Sequence, residues 1–98
     1  MKRPSSAARE TAEMLAIQAL SFIAEEPDRL AAFLNASGLT IERLRESATE
    51  PGFLAGVLEH MLADESLLLA FAAAADIDPA DIARARGALG GRWERDIP

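Results

Sequence analysis

Cysteine and tyrosine are absent from this chain, and histidine and tryptophan occur once each, as His60 and Trp93. Without cysteine there is no disulfide, no thiolate metal site and no thiol nucleophile. The absence is compatible with a reducing cytoplasm. One imidazole falls short of the three or four protein ligands that a metal site uses. There is no glycine-rich phosphate loop, and Ser21, Ser37, Ser47 and Ser66 have no evident histidine or lysine partner in the sequence. No catalytic residue, cofactor or metal ligand is therefore assigned. Long apolar runs are missing too: Ser66 to Ala75 spans only ten residues, against the ~20 that cross a bilayer. Lys2 and Arg3 open the chain, but Glu10 and Glu13 interrupt any signal-peptide core, so it reads as unprocessed, cytoplasmic and without a membrane partner. Positive charge is scarce as well. A net charge of −6 argues against general affinity for nucleic acid, which depends on clustered lysine and arginine.

What is present is apolar and helix-forming. Half of the 98 residues are hydrophobic and 27% are charged, the composition of one globular domain over residues 1–98. Leu67, Leu68, Leu69 and Phe71 cover every side of a helical turn. A helix that is apolar all round is buried, so this segment is expected to be the central helix of the bundle. The other apolar positions recur at spacings of three and four. A first helix from about Ser6 to Glu25 carries Met14, Ile17, Leu20, Ile23 and Ala24 inward, with Leu15 and Phe22 widening the stripe. Pro27 ends it and opens a second helix with Leu30, Phe33 and Leu34, closed at Gly38. Thr40 caps a third helix to about Ala48. A fourth runs from about Pro51 to Leu62, with Phe53, Leu54, Val57, Leu58, Met61 and Leu62 as its stripe. Asp64 caps the apolar helix, and Asp78-Pro79 starts a sixth to about Leu89. Residues 1–5 are expected to be a disordered tail. Residues 92–98 are expected to pack back through Trp93 after a reversal at Gly90-Gly91.

The fold class is thus all-α, about six short helices. Leu20, Leu30, Ala32, Phe33, Leu39 and Thr40 recur as Leu58, Leu68, Ala70, Phe71, Ile77 and Asp78, at a constant offset of 38 residues. A pseudo-repeat of two three-helix halves shows such an offset; an alanine- and leucine-rich chain also matches itself through composition alone.

The runs A-L-S-F-I-A-E-E-P-D-R-L-A-A-F-L, P-G-F-L-A-G-V-L-E-H-M-L-A-D-E-S-L-L-L-A-F and A-R-A-R-G-A-L-G-G-R-W resemble a family of short bacterial proteins known as domain of unknown function 3572. The likeness covers about residues 8 to 93, and D-E-S-L-L-L-A-F and L-G-G-x-W are its most specific parts. It implies a small, stand-alone, all-helical protein and transfers no functional residue.

Two function classes remain. The first is a protein–protein interaction or self-association module, with Leu15, Phe22, Phe53, Met61 and Trp93 as its surface and a homodimer or another protein as partner. The apolar content of so short a chain motivates it. The alternative is a nucleic-acid-binding regulator. Residues 34–47 would be its helix-turn-helix, with Arg43 and Arg45 projecting and Arg84, Arg86 and Arg92 adding charge. Glu42 and Glu46 alternate with the first pair and would repel phosphate. His60 and Asp64 stand one helical turn apart, but Asp64 is accounted for as a cap.

Overall fold

The computed structural model describes residues 6–48 and 50–89. Six helices follow in order: α1 (Ser6–Ala24), α2 (Pro27–Ser37), α3 (Ile41–Ser47), α4 (Pro51–Leu62), α5 (Glu65–Ala75) and α6 (Pro79–Ala88). Among the described residues there is no strand.

Local chemistry sets these boundaries. Helix N-termini leave backbone N–H groups without partners, and side-chain oxygens accept them. Thr40 Oγ1 accepts from Arg43 N–H at 3.2 Å, Asp64 Oδ1 from Leu67 N–H at 3.2 Å, and Asp78 Oδ1 from Ala80 N–H at 2.9 Å. Proline stands in the first turn of α2, α4 and α6, where a missing N–H is harmless. Gly38 ends α2 in the left-handed conformation, φ 74°, with its N–H donating to Leu34 O. Asp76 ends α5 in the same conformation, φ 58°, although it carries a side chain.

The interior is built by α1, α4 and α6, which pack on one another. On α4, Leu54, Val57, Leu58 and Met61 are at most 1% exposed. On α6, Ile82, Ala85 and Leu89, just beyond the helix, are buried. The apolar helix α5 is therefore not the centre. Leu67, Phe71 and Ala72 reach the core and Leu68 is half-buried, but Leu69 is 49% exposed. Beside Leu69, its outer side carries Ala70, Ala73 and Ala74, whose small surfaces cost little to leave in water.

The inward face of α1 also differs from the expected one. Ala12, Ala16, Ala19 and Ile23 are buried, whereas Met14 and Ile17 face out and Ala24 is exposed. The spacing of four, three and four is as helical as the stripe of large residues. It wins because α4 and α6 bring Leu54, Leu58, Met61 and Ile82 to the interior, and close packing sets small side chains among large ones.

The repeat is visible in the architecture. Adding the offset of 38 residues to α2 gives the limits of α5, and the same step carries the end of α1 to the end of α4 and the start of α3 to the start of α6. Gly38 and Asp76, both left-handed, correspond, as do the caps Thr40 and Asp78. Aromatic packing follows the correspondence. Phe71 lies on Phe22, ring centroids 5.4 Å apart, and Phe33 lies on His60 at 5.1 Å. Exchanging the halves turns one pair into the other. Each half thus sets the phenylalanine of its second helix onto the long helix of the other half.

Candidate functional site

Among the described residues, two depressions stand out on the surface. The larger, about 830 Å³, runs between the N-terminal part of α1 and α6. Its walls are mostly apolar, with Ala8, Ala12, Met14 and Leu15 on one side and Ile77, Ala85 and Ala88 on the other. It exists because α1 begins at Ser6, about two turns before the position matching the start of α4, and α6 lies beside that extension. Asp81 and Arg84 stand on its edge and form an ion pair with each other. Thr11 and Gln18 are its remaining polar lining. Such a trough can hold apolar side chains of another segment.

The smaller depression, about 340 Å³, lies between α2 and α4 and is lined by Phe33, Phe53, Gly56, Glu59 and His60, with Ala36 and Ser37 at its side. Phe33 meets Phe53 edge-on at 5.9 Å and His60 at the same interplanar angle of 77°. Glu59 accepts from Arg86 Nε at 2.7 Å and from its Nη2, so that carboxylate is already engaged across α4 and α6. Among the described residues no group of three His, Asp or Glu side chains converges as a metal site would require.

The interaction residues read from the sequence do not share one surface. Leu15 is half-buried in the α1/α6 groove, and Phe53 is half-buried in the α2/α4 pocket. Phe22 is half-buried between Phe71 and Arg29, whose guanidinium lies 4.1 Å from the ring centroid. Met61 is fully buried and leaves the set: its position on α4 points at the junction with the other core helices. Trp93 and the expected packing of residues 92–98 lie outside the described residues, as do residues 1–5. Among the described residues, the large apolar side chains that do face out are Met14, Ile17, Ile41 and Leu69. An alanine stripe read as the inner seam of α1 would have exposed the first two.

The arginines are dispersed. Arg43 and Arg45 project from α3, which follows α2 through the Gly38 turn as a helix-turn-helix would, and Arg43 lies 3.8 Å from Glu46. Arg84 pairs with Asp81, Arg86 is held by Glu59 with its side chain 16% exposed, and Arg92 is outside the described residues. Each of these three pairings neutralises a cation that phosphate would need.

No helix among the described residues is long and apolar enough to cross a membrane. No curated protein and no solved structure matches the chain. A family model does, over residues 9–92, and its coverage of nearly the whole chain settles the kinship: this protein belongs to the family described as protein of unknown function, DUF3572.

Proposed function

We propose that the protein is a small docking module that self-associates through the outer side of α1. The observation that carries the reading is the exposure of Met14, at 63%, and Ile17, at 43%, one turn apart on one helix face. Isolated apolar side chains on a surface need no explanation. Here the two are neighbours on one face and Met14 also lines the α1/α6 groove, and contiguous apolar surface marks interaction sites. A two-fold dimer is the commonest way for a small protein to cover such a face.

Sedimentation equilibrium of the full chain, from low to high micromolar concentration, tests this with Ile17→Glu beside the wild type. The wild type should rise in mass above the single-chain 10.5 kDa, and the variant should remain there. Ile17 is exposed and outside the core, so the substitution should cost about 1 kcal/mol or less of stability. A wild type that stays at single-chain mass throughout contradicts self-association.

A further inference from the structure

We propose that the cleft between α2 and α4 binds a small, neutral aromatic molecule with one hydrogen-bonding edge, such as an indole or a phenol. Its lining includes no residue of α1, so this site stands or falls separately from self-association.

The cleft comes from one gap in α4. Phe53, Gly56, Glu59 and His60 recur at helical spacing on one face of that helix. Gly56 leaves a hole between the phenyl ring and the imidazole: beyond its own turn of helix, a Cβ there would meet no atom within 4 Å. Glycine inside a helix costs stability that alanine would not, and the chain's own packing does not require it here. Gly87 in α6 also has room, but its neighbours one turn back, Ala83 and Arg84, bring no ring to it. The internal repeat shows the same place closed. At the offset of 38 residues, Phe53, Gly56 and His60 correspond to Leu15, Gln18 and Phe22. Phe22 packs on Phe71 at 5.4 Å between centroids, and the Arg29 guanidinium covers its ring at 4.1 Å. The counterpart of Arg29 is Leu67, which is buried in the core instead. One half thus carries a long side chain and a guanidinium where the other carries an opening.

The lining selects the ligand. A volume of about 340 Å³ is at the small end of ligand pockets and suits one or two fused rings. Phe33 meets both Phe53 and His60 at an interplanar angle of 77°, and a further ring over Gly56 would add another edge-to-face contact of the favoured kind. Among the described residues neither nitrogen of His60 has a hydrogen-bond partner. Arg86 Nε and Nη2 both donate to Glu59 Oε2, which leaves Oε1 to accept. A ligand N–H or O–H can therefore be received at the rim. The Arg86–Glu59 pair carries no net charge, so the cleft favours neither an organic cation nor an anion.

The test is an amide NMR titration of the full chain with indole at millimolar concentration, beside benzylamine and benzoate as charged counterparts. Indole should move the amides of Phe33, Gly56 and His60 saturably and bind more tightly than either charged probe. Gly56→Leu fills the gap and should weaken indole about tenfold or more, with helix content by circular dichroism retained. His60→Phe installs the residue of the other half. It should weaken indole about fivefold, the loss of one hydrogen bond, and leave toluene binding unchanged. Gly56→Ala should raise the thermal midpoint. Absence of a saturable shift at these amides overturns the proposal, and so does tighter binding of benzylamine or benzoate, which assigns a charged ligand. Undiminished indole binding by a folded Gly56→Leu places the probe elsewhere and also overturns it. If Gly56→Leu does not fold, unchanged indole binding by His60→Phe overturns the proposal by itself. A Gly56→Ala chain less stable than the wild type would mean that the fold itself needs the glycine, which removes the premise.

Discussion

The two halves of the chain have the same plan and unequal burial. Leu44 in α3 and Ile82 in α6 occupy matching positions, yet Leu44 is half-buried and Ile82 is fully buried. No residue of α3 is buried, whereas α6 supplies Ile82 and Ala85, with Leu89 just beyond. The cause lies in length and in one polar residue. Ser47 stands where α6 has Ala85, and α3 ends there, while α6 continues to Ala88. The long helices differ in the opposite sense. Ala16 and Ala19 in α1 match Leu54 and Val57 in α4, so one helix supplies the space and the other the bulk. A repeated plan does not require repeated packing. The half whose third helix carries the apolar seam closes the core, and the other half leaves its third helix outside.

The largest effect should come from the features the halves share. Phe33 and Phe71 are both 3% exposed, so Phe33→Ala and Phe71→Ala should each cost about 3 kcal/mol or more, and by similar amounts. Urea unfolding gives both values. A large inequality would mean that the correspondence of the aromatic pairs does not extend to energetics.

Next come the positions where the halves diverge. Ile82→Ala should cost about 2–5 kcal/mol, since it removes fully buried volume. Leu44→Ala should cost about 1 kcal/mol, since much of its surface is already solvated. Equal midpoint shifts in urea would refute the distinction between α3 and α6. On the alanine seam, Ala16→Leu should destabilise by about 1–3 kcal/mol through overpacking. A neutral result would show that α1 has room at its inner face.

The helix ends sharpen the comparison at smaller scale. Gly38 and Asp76 hold the same left-handed cap, φ 74° and 58°. Asp76→Gly should stabilise by up to about 1 kcal/mol, and Gly38→Ala should destabilise by a comparable amount. Thermal unfolding of the two variants should therefore move in opposite directions. The smallest effect belongs to Arg43 and Glu46, both well exposed: Glu46→Gln should change stability by less than about 0.5 kcal/mol.

How much of this was legible in the sequence follows from the range of each signal. Caps and breaks are local, so Pro27, Gly38, Thr40, Asp64 and Asp78-Pro79 marked the helices within a residue or so of their limits. Facing is not local. On α1 the large apolar stripe and the alanine stripe have the same helical period, and only the bulk brought by α4 and α6 decides between them. On α5, hydrophobicity on all sides indicates a centre, but placement depends on which neighbours surround a helix, and Leu69 stays half exposed. For the same reason the sequence alone points Met14 and Ile17 inward and offers Met61 as surface, the reverse of where the fold puts them. The α1/α6 groove was invisible because it arises from the packing of segments some seventy residues apart. Among the described residues of the expected surface, Leu15 lines it.

Native-state hydrogen exchange of the full chain tests the account most directly, because it reports the opening free energy of each helix separately. The central claim is that α1, α4 and α6 form one cooperative core and that α3 lies outside it. Amides of Leu44 to Ser47 should then exchange through local opening, well before those of Leu54 to Met61 and Ile82 to Ala88, which should exchange together at the free energy of global unfolding. Protection of α3 equal to that of α6 would contradict the claim.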